Sequence, residues 1–349
     1  MVIKRIANRI KKHFRQYSVF YPKKSHDALR WGIIGLGNMA EVFATALDDD
    51  RDSKIVAVAS RSKTKAVTFA AKHGHGKAYG SYEEMLSDTL LKLDVVYVAT
   101  PAKYHAEHIK LCLESGNNVL CEKPITSNTA ELKALMELAD RKGLFLMEGM
   151  WMKCLPTFIK AKEWLRQGLV GRLELVKVDF YKREIIRPEL SIFNPAEGGG
   201  VMHDYGVYSI AFATEFLGEE VNVMQRHVRY SSFGIDADWQ IYLRNEGAEA
   251  YISLSSDYKG DSKAALIGEK GVIEWDAQFN RSNKIVLYNK YGNIVEEYIA
   301  SYKNEGFEYE IAEVNNCIRS GKKQSEKVSL GKSLETIMLI DCLVKSEKK

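Results

Sequence analysis

From Leu29 onward the chain alternates short apolar runs with longer stretches of helical period. Trp31–Gly35, Lys54–Ala59 and Asp94–Ala99 predict strands. The last of these (DVVYVA) is apolar throughout, as in a parallel strand covered on both faces. Asn118–Cys121 and Leu144–Met147 predict two more strands. Helices are predicted from Asn38, over Thr64–Lys72 and Tyr104–Glu114, and from a cap at Ser127 to about Lys142, where Gly143 stops it. Repeated β–α–β units of this size build an open, doubly wound parallel sheet.

After Trp151 the texture changes. Helices over Leu155–Gln167 and Gly199–Leu217 bracket an alternating strand, Leu173–Tyr181. Strands then follow at short intervals: Val221–Tyr230, Asp238–Leu243, Ala250–Ser255, Ala264–Gly268, Val272–Asp276, Ile285–Tyr288 and Ile294–Tyr298. Turn signals such as Glu269-Lys270-Gly271 separate them, and two helices (Phe307–Ser320 and Gly331–Lys345) close the chain. The expected second unit is α+β, with a large, mainly antiparallel sheet.

At about 150 residues per domain, 349 residues suit two such units. A chain 46% hydrophobic and 28% charged is not a disordered or low-complexity one. No run approaches the ~18 apolar residues of a membrane span, and the first residues lack the apolar core of a secretory signal. Cys112, Cys121, Cys154, Cys317 and Cys342 are scattered without a C-x-x-C, so neither a disulfide framework nor a zinc finger is expected. A reducing, cytoplasmic setting is the expectation.

Charge is unevenly spread. Residues 1–30 carry nine Lys/Arg against one acid, Asp27, while the rest of the chain is net negative. The body is therefore no nucleic-acid binder by charge. Within residues 2–21, Ile3, Ile6, Ile10, Phe14, Tyr17 and Tyr21 recur at near-helical spacing among Lys4, Arg5, Arg9, Lys11, Lys12 and Arg15. Such a basic amphipathic helix suits an anionic membrane surface or an acidic partner. Packing on its own enzyme, a cleaved presequence and an overlong gene start are the other readings.

Gly35-Leu36-Gly37-Asn38-Met39-Ala40 fits G-x-G-x-x-[G/A] between the first strand and the first helix. Gly35 permits the tight turn, Gly37 lets backbone approach a pyrophosphate, and Ala40 allows close helix–strand packing. That makes the first unit a dinucleotide-binding Rossmann domain. At the end of the second strand, where NAD enzymes carry Asp or Glu, the chain reads Ser60-Arg61-Ser62-Lys63. A guanidinium and hydroxyls suit a 2′-phosphate, so NADP(H) is the expected cofactor. The units are expected at 1–28 (basic arm), 29–150 (NADP-binding) and 151–349 (substrate-binding).

Two further clusters carry chemistry. Glu122-Lys123-Pro124 ends the strand over 118–121, where such sheets bind ligands, and an ammonium there can steady a developing alkoxide. Gly198-Gly199-Gly200 precedes a helix holding His203, Asp204 and Tyr208, and the triple glycine suggests close approach of a ligand. Asp204 and Tyr208, at i and i+4, share a helical face. The tyrosine can donate a proton to a carbonyl while the aspartate holds substrate hydroxyls. His73-Gly74-His75 lacks neighbouring acids or cysteines, so no metal site is expected.

Together with Thr100-Pro101, His105 and Met147-Glu148-Gly149-Met150-Trp151, these residues resemble the Gfo/Idh/MocA oxidoreductase family from residue 29 to about 345. The branch is similar to dimeric dihydrodiol dehydrogenases, NADP-dependent xylose dehydrogenases and sugar ketoreductases. The resemblance implies that Lys123 and Tyr208 act as acid/base residues. It places Thr100, Pro101, His105 and Glu122 at the cofactor, and Trp151 and His203 beside Asp204 at a sugar, sugar derivative or cyclic diol. It also implies pairing of subunits through the open face of the antiparallel sheet, into a homodimer or higher homo-oligomer. Ala102, Lys153 and His203 depart from the usual Asn, Arg and apolar residue, which bears on the substrate more than on the chemistry. Two rivals share the fold: a glycosidase that holds NAD and oxidises its sugar only transiently, and a non-catalytic NADP-binding sensor or scaffold.

Overall fold

The computed structural model describes residues 23–74, 76–183, 194, 199–232, 234–276 and 278–345. The basic amphipathic segment over residues 2–21, with its expected membrane or partner contact, lies outside the described residues, as does His75.

Six parallel strands make the first sheet: β1 (Leu29–Ile34), β2 (Ser53–Ala59), β3 (Lys77–Tyr79), β4 (Val95–Val98), β5 (Asn118–Glu122) and β6 (Leu146–Gly149). Their order is β3-β2-β1-β4-β5-β6. The helices between them are α1 (Asn38–Asp49), α2 (Lys63–Lys72), α3 (Tyr82–Ser87), α4 (His105–Glu114) and α5 (Thr129–Lys142). All four residues of β4 are buried, which is why that run is apolar without alternation. Two elements go beyond the sequence expectation. β3 has three residues with only Tyr79 buried, and α3 has six with only Met85 buried, so neither repeats long enough to show a period. The cap of α5 is also one residue later than expected: Asn128, not Ser127, accepts the Glu131 amide at 3.0 Å.

The second sheet has eight strands: β7 (Leu173–Tyr181), β8 (Asn222–Tyr230), β9 (Asp236–Arg244), β10 (Glu249–Ser255), β11 (Ala264–Gly268), β12 (Gly271–Trp275), β13 (Lys284–Asn289) and β14 (Ile294–Ile299). They lie in the order β14-β13-β12-β11-β7-β10-β9-β8, antiparallel except for the β7–β10 pair. Along β9, Ala237, Trp239, Ile241 and Leu243 alternate inward, one face buried and the other open. The buried face meets α7 (Val207–Leu217), whose outer side is covered by α9 (Leu330–Lys345). Covered on both sides, α7 is apolar nearly all round and buries Tyr208 in its first turn.

The chain enters this half through a 3₁₀ turn, Trp151–Cys154, and α6 (Pro156–Arg166), and its last helices reach back across the junction. α8 (Phe307–Arg319) packs on the Trp151 turn and on α1. Ser333 of α9 donates to Glu148 at 2.6 Å, and Asp341 accepts both the amide and the hydroxyl of Thr129. Residues 307–345 thus clamp both sheets together. No helix among the described residues is long and apolar enough to cross a membrane.

Candidate active site

The strand order of the first sheet reverses between β1 and β4, which opens a crevice at the strands' carboxyl ends. Sequence places the glycine turn after β1, Thr100-Pro101 after β4 and Glu122-Lys123 at the end of β5, all on that rim. A cleft of about 200 Å³ lies there, lined by Met39, Thr100, Pro101, His105, Glu122, Lys123, Gly199, Gly200, His203 and Asp204. A larger bowl of about 400 Å³ near Asp276, Arg281 and Glu305 contains none of the expected site residues, so chemistry and not size selects the smaller one.

The glycine turn fits a dinucleotide. Gly35 has φ +82°, and a Cβ there would lie 2.6 Å from the Thr100 amide nitrogen. At Gly37 a Cβ would meet nothing within 4 Å, and this residue caps α1 without any side-chain hydrogen bond. The first amides of α1 therefore face open space, ready for phosphate oxygens. Asn38 and Met39 are exposed on the same turn, while Ala40 is fully buried against the sheet.

At the end of β2, the Ser60 hydroxyl accepts the Ser62 amide at 3.2 Å, and Ser62 caps α2 through the Lys65 amide. Arg61 is exposed, with Tyr82 and His108 within reach of its charge. Lys63 turns away: its ammonium donates to the Ala78 carbonyl at 2.7 Å. Of the two cations expected at the cofactor, Arg61 is the better placed.

His105, expected at the cofactor, borders the cleft from a buried position. It is 1% exposed, and its ring nitrogens lie 2.7 Å from the carbonyl oxygens of Pro124 and Thr100. Burial pushes its imidazole down to about 4, against the pull of the two carbonyls, so the ring is neutral and its single N–H donates to one of them. His108, one turn further along α4, meets the Thr100 hydroxyl at 2.9 Å. Glu122 is buried and accepts the Tyr97 hydroxyl at 2.6 Å, a structural anchor for the end of β5.

Lys123 is the centre of the cleft. Its ammonium donates to Asp204 Oδ1 at 2.9 Å and to the Asp204 carbonyl at 3.0 Å, and lies 5.1 Å from the centre of the Tyr208 ring. Burial opposes the lysine's charge, but Asp204 and Tyr208 outweigh it and hold its pKa above the ordinary lysine value. Burial likewise works against the Asp204 carboxylate, and Lys123 overcomes it, so Asp204 titrates below its usual range. Burial raises the Tyr208 phenol, with Lys123 opposing. Tyr208 is 8% exposed and Trp151 7%, and the Trp151 indole N–H donates to the Tyr208 oxygen at 3.1 Å. Tyr208 adjoins the cleft at Lys123, and Trp151 lies against its oxygen.

Gly199 and Gly200 line the cleft, and Gly200 is also pressed against the protein itself. A Cβ at Gly200, φ +123°, would lie 1.8 Å from Asp236 Oδ1. The other oxygen of Asp236 accepts the Met202 amide at 2.7 Å and the Trp239 indole N–H at 2.6 Å. The close approach is made by the protein's own carboxylate. It anchors a π-helical turn, Met202–Gly206, that presents Asp204 and His203 to the cleft before the chain tightens into α7. Asp236 was invisible in the sequence pattern, because nothing local links a residue at the start of β9 to this turn.

His73, weighed as a metal ligand from sequence, is 2% exposed and sits between Asp48 Oδ2 (2.8 Å) and Glu41 Oε2 (3.0 Å). Its nitrogens serve an ion cluster joining α1 to α2. No group of metal-ligating side chains occurs among the described residues.

A switch-point cleft with an open helix end and a lysine, closed by an aspartate and a tyrosine from a second domain, defines a dinucleotide-dependent oxidoreductase. Residues 29–150 match the model of an oxidoreductase family with an NAD-binding Rossmann fold, and residues 158–274 match the GFO/IDH/MocA C-terminal domain. The trans-1,2-dihydrobenzene-1,2-diol dehydrogenase of Xenopus tropicalis is 30% identical over 322 residues, covering 90% of this chain and 96% of the relative. The human enzyme of that name is 30% identical over 317 residues, 88% and 93% of the two chains. Among solved structures, a 3-ketoreductase from Actinomadura kijaniata in complex with NADP and TDP-benzene superposes with a TM-score of 0.81 at 23% identity, over 90% and 96% of the chains. An aldose-aldose oxidoreductase from Caulobacter crescentus, complexed with glycerol, gives 0.80 at 23% identity, over 91% and 97%. The chain belongs to the Gfo/Idh/MocA family and is an NAD(P)-dependent oxidoreductase acting on CH–OH groups.

Proposed function

We propose that this protein transfers hydride, with NADP(H), to or from a CH–OH/C=O carbon of a sugar, sugar derivative or cyclic diol. The observation that carries the reading is the Lys123 ammonium, bonded to Asp204 and set over Tyr208 at the end of β5. The bound nicotinamide supplies or takes up the hydride. The chain's own residues do the rest. Tyr208 exchanges the proton with the substrate oxygen, and Lys123 steadies the negative charge on both oxygens. Asp204, with 41% of its side chain exposed, offers a carboxylate oxygen to substrate hydroxyls, and His203 borders the same space. Arg61, exposed just past the end of β2, supports a 2′-phosphate and hence NADP(H) over NAD(H).

The names of the relatives support a polyhydroxylated substrate. The open face of the second sheet supports self-association into a homo-oligomer. Five scattered cysteines without a C-x-x-C fit a cytoplasmic setting.

Initial rates with NADPH and NADH against a panel of aldoses, ketoses and cyclic diols test this reading. It predicts turnover of at least one polyol class with NADPH preferred, and a fall in kcat of about 100-fold or more in Tyr208→Phe. NADPH binding without turnover of any panel member contradicts it.

A further inference from the structure

Tyr208 has 8% exposure, and its oxygen touches a donor that takes no part in the mechanism above: the Trp151 indole N–H at 3.1 Å. The indole is held from two sides. Its ring stacks on Phe307, centroids 4.4 Å apart at 19°. Its 3₁₀ turn is tied to α7 a second time, where the buried Lys153 ammonium meets Glu215 Oε2 at 2.9 Å. Glu215 lies about two turns beyond Tyr208 on the same helix. Two ties along one helix fix the distance from indole to phenol.

An indole N–H donates and cannot accept. The Tyr208 proton therefore cannot point at Trp151, and the phenol accepts on that side while its O–H is left to face elsewhere. When Tyr208 gives its proton away, the same N–H faces a phenolate, and a neutral hydrogen bond becomes a charge-assisted one. The contact is thus stronger after proton transfer than before it, which is the condition for lowering a barrier.

Resting on the acid/base reading of Tyr208, we infer that Trp151 is a positioning residue that aims the Tyr208 proton at the substrate and stabilises the phenolate left behind. In the reducing direction the Tyr208 O–H bond breaks and its proton goes to the substrate oxygen. The hydride reaches the carbonyl carbon from the reduced nicotinamide, and phenolate and oxidised nicotinamide remain. Oxidation runs the same exchange backwards. The assignment differs from the wall of a substrate pocket, which would act on binding alone.

Two measurements test it. In the Trp151→Phe enzyme kcat falls about 10- to 100-fold while KM stays within about threefold. The rise of the oxidation rate with pH moves to higher pH by about one unit, because the phenolate has lost a donor. A readout free of turnover comes from 15N spectra of the indole N–H groups, of which the chain has five. The Trp151 signal is the one missing from Trp151→Phe. In Tyr208→Phe, which removes only a hydroxyl, that signal moves upfield and its proton exchanges about tenfold faster or more. An unmoved signal overturns the proposal, as does a Trp151→Phe enzyme with raised KM but unchanged kcat and pH profile. Near-normal turnover in Tyr208→Phe instead overturns the acid/base reading beneath it, whatever Trp151→Phe shows.

Discussion

Two glycine-rich turns start the two helices that frame the cleft, and they use glycine for opposite reasons. At Gly37 the missing side chain leaves space that no protein atom fills, and the amides of α1 remain available. At Gly200 the space is already taken, because Asp236 enters it and caps the turn itself. The first turn is open, with room for a ligand beside it. The second is filled, and its occupant aims Asp204 at Lys123. The same residue type marks a ligand in one place and an internal carboxylate in the other, and only the neighbouring chain distinguishes them.

The sharpest break of this comparison is Gly200→Ala. A side chain forced to φ +123° and against Asp236 should cost about 3 kcal/mol or more, seen as a lowered midpoint in thermal unfolding, with kcat reduced as Asp204 is displaced. Wild-type stability would show that the turn can move aside and that Asp236 is not its cap. On the open side, Arg61→Ala should weaken NADP(H) by about 1.5–3 kcal/mol and leave NAD(H) nearly untouched. Equal losses for both cofactors, measured by fluorescence titration, would place Arg61 away from the 2′ position.

A smaller effect comes from His73, which joins the helix bearing the open turn to α2. Burial lowers its pKa, but hydrogen bonds and charge from Asp48 and Glu41 outweigh it, and the net shift is upward from 6.5. A histidine raised in the folded state stabilises fully below its unfolded pKa and ceases to do so as pH climbs through the folded value. Denaturant unfolding should therefore show stability declining from about pH 6.5 upward, and His73→Gln should flatten that slope without changing the cofactor preference. An unchanged slope in the variant would assign the dependence to other groups.

What the sequence made legible follows the same division. The turn at Gly35–Ala40 could be read because motif, strand and helix are contiguous. Lys123 was legible as a strand-end ammonium and Asp204 and Tyr208 as an i, i+4 pair, the resemblance implied their roles, and the fold brings Lys123 and Asp204 together across 81 positions of chain. The filled turn could not be read, since Asp236 reaches it from another strand. The same holds for the π-helical turn over Met202–Gly206, which looks like ordinary helix in sequence because tertiary contacts decide its pitch. His105 carried a motif position yet lies buried with its ring nitrogens facing backbone carbonyls. Motif spacing specifies where a residue sits, and its partners decide what it does.

The most direct test is an NADPH titration of Gly37→Ala beside Asp236→Ala, each paired with thermal unfolding. The account predicts that Gly37→Ala unfolds like the wild type but binds NADPH at least about tenfold more weakly, because a methyl group occupies space meant for phosphate. Asp236→Ala should bind NADPH normally and lose about 1–2 kcal/mol of stability together with turnover, because the cap of the catalytic turn is gone. Wild-type NADPH affinity in Gly37→Ala, or lost NADPH affinity in Asp236→Ala, would contradict the assignment of one turn to the ligand and the other to the protein itself.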